Sequence, residues 1–518
     1  MLAGPPASEE PGIGALTLGG FFDEVTTRWS ARDAISFDGR TLTYAELRER
    51  TRALSRGLMT RGVGKGMRVA LLMGNRPEWI ETVYAAAMTG AAVVPLNTYF
   101  EAPELEYVLR HCDATWLVAQ PELAGHEYAQ TLEKLDVAAL ATVVWLGSEE
   151  WDALHEAGSA ASDEMLDQRV ASVGPDDDAL VLYTSGTTAR PKGVIHVHRA
   201  PTLQSWRFVR HLALDSDERT WSAYPFFWAA GFCMVMGATF AAGGCVVLQE
   251  RFEPGAALQL MEAERVTTAY AWPHQLADLE QHPGWLSRDL SNIRHADVFS
   301  PFARHPTVRD LPDWSPRSAY GASETFTIIT STPADTPAPQ RMGHHGAILP
   351  GNVVRIVDGE ITVKGPTMMR GYYGTRTEDC FDADGFFHTG DAGFIDDEGR
   401  LHWTGRLTDM IKTGGANVSP VEIETELLQH PLLKASVAIG VPHDTLGEMV
   451  VVAALPQDGA DVDEDAVRSF LHGRLASYKI PRRVLFFDDD DVELTGNSKI
   501  RTPELRALVM KRLDNQDS

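Results

Sequence analysis

Residues 179–193 read ALVLYTSGTTARPKG, an apolar run that gives way at Tyr183 to hydroxyls, glycine and, finally, Lys192. The first five residues suit a buried strand bounded by a turn. In the turn, glycine lets the backbone approach an oxyanion, the Thr and Ser hydroxyls donate to it, and Lys192 adds a cation. A polyphosphate is the guest such chemistry suits, and the end of a buried strand is where α/β sheets bind ligands. A Gly-x4-Gly-Lys-Ser/Thr loop is excluded, because Pro191 and Gly193 stand where a glycine and a hydroxyl are needed. Taken alone, the stretch also fits an ordinary polar turn, since Ser, Thr, Gly and Pro are what turns are made of.

Outward from this stretch, strand and helix signals alternate. AISFDGRTLT predicts a hairpin about Asp38-Gly39, and Thr43 with Glu46 has the spacing of a capping box opening the helix YAELRERTRALSRGL. RVALLM, a helix from Pro77 and AAVVPL then form a βαβ unit, which implies a parallel or mixed sheet covered by helices on both faces. Beyond Gly359 short strand signals are separated by Gly and Asp turns, and after Arg406 a smaller α+β pattern begins. The expected class is α/β: a large N-terminal domain of β-sheets flanked by helices (αβαβα type), residues 1–407, and a small α+β C-terminal domain, residues 408–518.

At 518 residues, 46 basic against 72 acidic, the net charge of −26 argues against nucleic acid or an anionic membrane as the main partner. Cys112, Cys233, Cys245 and Cys380 form no C-x-x-C pair or zinc spacing, which points to reduced thiols and a cytoplasmic setting. The first twenty residues, without a basic residue or an apolar core, read as a flexible leader rather than a signal peptide. Thr220 to Gln249 carries no charge, but Pro225 and Gly243-Gly244 divide it, so a buried core is favoured over a membrane span.

Further along the chain stand YGASETF (320–326), MMRGYYG (368–374), HTGDAGFIDDEGRLHWTGRLTDMIKTGGANVSPVEIE (388–424) and TGNSKIR (495–501). In this order the motifs closely resemble the adenylate-forming superfamily, in its acyl-CoA synthetase branch. The resemblance implies that Thr184, Ser185, Gly186, Thr187, Thr188 and Lys192 grip the β- and γ-phosphates of ATP. Tyr320, with Gly321 and Ala322, would lie at the nucleotide, and Glu324 and Thr184 at Mg²⁺. Asp391 would accept the ribose hydroxyls, with Arg406 as a second contact. Lys499 would bridge carboxylate and α-phosphate during adenylation, Thr408 would be the hinge, and Gly414 and Gly415 would line the pantetheine tunnel beside Trp228. Phe226, Phe227, Trp228, Gly231, Phe232 and Gly321, with Met234 and Met236 nearby, would shape an acyl pocket. No acidic residue there awaits an amino group, so an apolar, bulky acid is expected.

The implied reaction is conversion of such an acid to its CoA thioester through an acyl-AMP intermediate, with ATP (or preformed acyl-AMP), Mg²⁺ and coenzyme A as reactants and cofactors. A carboxylate is a poor electrophile because its oxide leaving group is too basic; AMP is a better one, which a thiolate then displaces. Departures from the family pattern bear on the first step. Ala189 stands where the phosphate loop has glycine, Val298, Phe299 and Ser300 where a small segment makes room for adenine, and Trp228 where synthetases often carry histidine. Thr408 replaces an acidic or basic hinge residue, and Ser498 replaces glycine before Lys499. The alternatives are a member that only thioesterifies a preformed adenylate supplied by a partner enzyme, a carrier-protein-loading enzyme, and a non-catalytic adenylate-binding protein. A homodimer is compatible with each. His196 and His198, His344-His345 and the Asp488–Asp491 run lack metal-site spacing and are expected to be structural or solvated.

Overall fold

The structure is a computed structural model that describes residues 1–184, 191–297, 300–407, 410–413, 416–443, 446–472, 474–475, 479–488, 491 and 502–516. Two compact units arise, one from residues 1–354 and 364–387, the other from 355–363 and 388–518.

The first unit opens with the hairpin β1 (Asp33–Phe37) and β2 (Arg40–Thr43), in which Asp38 and Gly39 both take positive φ, the two-residue turn expected there. Thr43 and Glu46 close a reciprocal capping box on α1 (Tyr44–Thr60). Then come β3 (Arg68–Leu72), α2 (Pro77–Thr89) with proline in its first turn, and β4 (Ala92–Pro95). Next are β5 (Trp116–Ala119), β6 (Thr142–Trp145), β7 (Asp178–Thr184), β8 (Lys192–Val197) and α3 (Arg199–His211). The unit continues through β9 (Arg219–Ser222), β10 (Cys245–Val247), β11 (Thr268–Tyr270), β12 (Ala319–Ala322), β13 (Thr327–Ser331), β14 (Ala347–Ile348) and β15 (Gly371–Tyr372).

These strands make a seven-stranded sheet of order β15-β8-β7-β4-β3-β5-β6, a five-stranded sheet β11-β9-β10-β1-β2, and a three-stranded antiparallel sheet β12-β13-β14. Alternation along the central strands sends side chains into two different cores. Val69, Leu71, Val93 and Leu180 pack on one face, and Ala70, Leu72, Val94 and Val181 on the other. Burial on both faces is what an apolar strand without polar alternation requires.

Two expectations are altered. The N-terminal segment is not a loose leader: Leu2 and Ala3 pair with Val354 and Val353, and Glu10 forms an ion pair of 2.8 Å with the buried Arg207. A guanidinium buried to that extent needs a carboxylate, and the segment supplies it. The uncharged stretch from Thr220 is divided into β9, a loop, a π-helix over Ala230–Gly237, a short helix and β10. No helix among the described residues is long and apolar enough to cross a membrane.

The second unit contains the hairpin β16 (Phe387–Ile395) and β17 (Leu401–Arg406), then β18 (Ile411–Thr413), β19 (Ala416–Val418), α4 (Pro420–Leu427), β20 (Leu433–His443), β21 (Gly447–Pro456), α5 (Glu464–Leu471), β22 (Arg483–Phe486) and α6 (Thr502–Gln516). Its sheet runs β19-β18-β21-β20, with β22 parallel to β21. Whereas the sequence reading divides the chain before Thr408, the β16–β17 hairpin groups with the residues C-terminal to it. Ser419 Oγ donates to the Thr404 carbonyl, and the Gly393 amide donates to Gly359. Thr408 itself lies outside the described residues.

Candidate active site

The opening stretch is an antiparallel hairpin: β7 and β8 pair with Tyr183 opposite Gly193 and Thr184 opposite Lys192. The two ends of the expected phosphate loop are therefore fixed by the sheet. Ser185, Gly186, Thr187, Thr188 and Ala189 lie outside the described residues. The Tyr183 hydroxyl, adjacent in sequence to the loop hydroxyls, is turned away to His111 Nδ1 at 2.7 Å. Gly193 is glycine because a Cβ would come within about 3.1 Å of Tyr183, Tyr373 and Val181.

Tyr320, Gly321 and Ala322 end β12, and the pairing with β13 shifts register between Tyr320 and Gly321. A Cβ on Gly321 would lie 1.6 Å from the Thr327 carbonyl oxygen, so no other residue fits. The turn beyond is held in left-handed backbone, with φ of 47° at Phe326 and 84° at Thr327. Such strain persists where the surroundings over-determine it. Phe326 is fully buried edge-on to His196 and Phe232, Gln204 Nε2 donates to Ile328 O at 2.6 Å, and His196 Nε2 lies 2.8 Å from Ser323 O. Burial pushes the His196 pKa down to about 3, so its ring stays neutral and Nε2 donates to that carbonyl. His198 Nδ1 accepts from the Leu18 amide at 3.2 Å. Both histidines are thus structural, as expected.

Glu324 is brought to Lys192 through a residue to which the sequence reading assigned no role. The Tyr372 hydroxyl donates to Glu324 Oε1 at 2.7 Å, and Lys192 Nζ lies 5.3 Å from the centre of the Tyr372 ring. The motif MMRGYYG was legible, but the short β15 that aims this tyrosine was not.

The expected acyl wall begins after β9. Asn75 grips it at two points: its amide donates to Tyr224 O and its carbonyl accepts from Phe226 N, both at 2.9 Å. Gly231 lets the π-helix approach this loop, since a Cβ would meet Pro225 O at 2.1 Å. The structure separates the expected pocket residues. Phe226 and Phe232 are core, packed on Trp79 at 5.3 and 6.0 Å between ring centres. Half-buried Trp228 instead joins Phe227, Tyr99 and Trp272 at 5.2, 6.3 and 6.2 Å, and Tyr224 lies 4.4 Å from Trp272. Tyr99 and Trp272 carry no motif, and only the fold brings them to Trp228. Met236 is buried and Met234 partly so. Ser300 is buried and caps the short helical turn after it; Val298 and Phe299 lie outside the described residues.

In the second unit Asp391 and Arg406 face each other across the β16–β17 hairpin, with Arg406 Nε 3.2 Å from Asp391 Oδ1. Arg406 Nη1 also donates to Thr389 O at 2.8 Å, so the guanidinium is held while it orients a nearly buried carboxylate. Gly414 and Gly415, which stand in sequence between β18 and β19, lie outside the described residues, as does Lys499.

The family model for the AMP-binding enzyme matches residues 22–373, and that for its C-terminal domain matches 422–499. The chain belongs to the AMP-binding enzyme family. It is 36% identical over 491 residues to a feruloyl-CoA synthase of Amycolatopsis sp, covering 91% of this chain and 95% of that one. It is 32% identical over 511 residues, 95% and 99% of the two chains, to a Mycobacterium tuberculosis CoA ligase for a methyl-dioxo-octahydro-indenyl propanoate. Among solved structures, ATP-bound MatB from Rhodopseudomonas palustris matches with a TM-score of 0.76 at 29% identity, over 95% of this chain and 98% of that chain. This AMP-binding enzyme is an acid–thiol ligase of the adenylate-forming, acyl-CoA synthetase branch.

The two groups that the family resemblance would put at Mg²⁺, the Glu324 carboxylate and, at the end of β7, the Thr184 hydroxyl, would both donate oxygen. No group of three His, Cys, Asp or Glu able to hold a metal occurs among the described residues. One carboxylate and one hydroxyl fit Mg²⁺, which keeps several waters and takes its other ligands from substrate phosphates. They do not fit a dedicated zinc or calcium cage.

Proposed function

We propose that the chain activates an apolar, ring-bearing carboxylic acid with ATP and Mg²⁺ and passes the acyl group to the thiol of coenzyme A. The observation that carries the substrate class is the wall made by Tyr99, Phe227, Trp228 and Trp272, whose flat, largely apolar rings suit a ring-bearing acid. The relatives named for feruloyl and indenyl propanoyl acids also handle ring-bearing substrates.

In this reading Lys192 and the hydroxyls of 184–188 bind the β- and γ-phosphates, and Tyr320 lies against adenine. Asp391, held by Arg406, accepts from the ribose hydroxyls. Mg²⁺, held by Glu324 and Thr184, would offset charge on the phosphates. Lys499 would approach the attacking carboxylate and α-phosphate, where negative charge develops. The aromatic wall keeps water from the mixed anhydride until the thiolate arrives. The reduced thiols fit work in the cytoplasm. A second reading, thioester formation from a preformed adenylate only, is favoured by Ala189 in the phosphate loop and Trp228 in place of histidine.

Acid-dependent exchange of labelled pyrophosphate into ATP tests the first step. We expect exchange with bicyclic or aromatic propanoic acids and none with acetate or amino acids. Absence of exchange with every acid, together with thioester formation from synthetic acyl-AMP and CoA, would replace the first reading by the second.

A further inference from the structure

We propose that Tyr372 is a positioning residue that sets Glu324 and Lys192 relative to each other, so that metal and phosphate are held by one preassembled group. The inference rests on the reading of Glu324 as a metal ligand and Lys192 as a phosphate contact.

Three elements converge on this tyrosine. β15 pairs with β8 so that Tyr372 stands opposite Val194, two residues from Lys192. The Met369 amide, just before β15, donates to the Glu324 carbonyl at 2.7 Å, which ties the segment to the Glu324 backbone. The side chain then uses both of its surfaces. Its hydroxyl donates to Glu324 Oε1 at 2.7 Å, and its ring face lies under the Lys192 ammonium at 5.3 Å. A hydrogen bond to a carboxylate is stronger than a neutral one. Because it engages one oxygen, it restricts the rotation of the carboxylate, whose other oxygen would then be the one to meet a metal ion. The ring attracts the ammonium without neutralising it, so Lys192 keeps its full charge for phosphate. A carboxylate in the same place would form an ion pair with Lys192 and compete with the nucleotide. Tyr372 therefore brings a cation and an anion to one site while discouraging them from pairing with each other.

The hydroxyl and the ring make separable predictions. Tyr372→Phe removes only the hydrogen bond; Tyr372→Leu removes the platform as well. The probes are Mn²⁺, followed by the electron paramagnetic resonance of the free ion, with a non-hydrolysable ATP analogue, and the same analogue in EDTA. Tyr372→Phe should weaken Mn²⁺ binding in the nucleotide complex about tenfold, leaving metal-free analogue affinity and the apo melting temperature unchanged. Tyr372→Leu should weaken metal-free binding too, by about threefold. Glu324→Gln should weaken Mn²⁺ at least as much as Tyr372→Phe, and adding Tyr372→Phe to it should have no further effect. If Glu324→Gln weakens Mn²⁺ and Tyr372→Phe does not, the positioning role is overturned and the Glu324 reading stands. If Glu324→Gln leaves Mn²⁺ unchanged, both fall. Equal losses of apo stability, metal-free and metal-dependent binding in Tyr372→Phe would mark the tyrosine as merely structural and overturn the proposal.

Discussion

Glu81 brings a carboxyl group into the core where α1 and α2 pack, its side chain wholly inaccessible to water. The Nε of Arg50 lies 2.8 Å from Oε1 but out of line for a hydrogen bond, and both carboxyl oxygens lack one. Desolvation, only partly offset by Arg50, pushes the pKa from 4.5 up to about 7. A carboxyl whose folded pKa is raised gives stability that is complete below pH 4.5 and lost as pH rises to about 7. The loss amounts to at most roughly 3 kcal/mol. Glu81→Gln keeps the shape and removes the titration. Its unfolding free energy relative to the wild type should therefore improve by about 1–3 kcal/mol between pH 5 and pH 8, measured by urea melts at both. A constant difference across that range would show that Glu81 stays ionised in the fold. Single residues differ in how far sequence betrays them. Thr43 and Glu46 announce their capping box, because both partners lie within one turn. Glu81 and Tyr372 do not, because what matters about them, an absent solvent and a distant carboxylate, is set by other segments.

At the scale of elements, the proposed acyl wall rests on a contact between the β3–α2 connection and the loop after β9. Asn75 bridges 149 residues to Tyr224 and 151 to Phe226, one hydrogen bond to each backbone group. Asn75→Ala should leave both groups without their partner and cost about 1–3 kcal/mol. Freed of the clamp, the loop bearing Phe227 and Trp228 loses its fixed position. The KM for the acid should then rise several-fold while that for ATP is unchanged, as read by pyrophosphate exchange with each substrate varied. A parallel rise in both would place Asn75 in the general scaffold instead. Strands and helices were legible wherever one period ran unbroken, as in RVALLM or the helix opened by Thr43. The π-helix was not, since its wider turn departs from the usual period of about 3.6 residues, and the close approach of Gly231 to Pro225 is a contact that no hydrophobic period encodes. For the same reason the sequence does not say which way the aromatic run faces: Phe226 and Phe227 are neighbours in sequence, yet the first packs on Trp79 and the second on Tyr99 and Trp228.

At the scale of the whole molecule, the order of five motifs was enough to give the family and the class, because five dense motifs in one fixed order are far more specific than any one of them. The N-terminal segment was misread because the one buried guanidinium it satisfies, Arg207, lies 197 residues away from Glu10. The limit of the second unit was displaced for a similar reason: the β16–β17 hairpin carries the same turn-rich texture as the residues before it, and contacts distant in sequence, among them the bond from Ser419 to Thr404, group it with the C-terminal side. That assignment groups Asp391 and Arg406, proposed for the ribose, in one compact unit with the segment that carries Lys499. A ligase that makes an anhydride and then cleaves it needs different groups at the reacting carbon in its two steps, and a C-terminal segment that moved between the steps would supply them in turn. Lys499 would belong to the first step alone, since there a carboxylate approaches an α-phosphate and like charges must be offset, whereas thiolate attack on an existing adenylate needs no such cation. Lys499→Ala should therefore reduce pyrophosphate exchange by at least about a hundredfold, with thioester formation from synthetic acyl-AMP and CoA kept within about threefold of the wild type. Equal losses in both assays would mean that Lys499 serves the fold or both steps, and the division of labour between them would have to be abandoned.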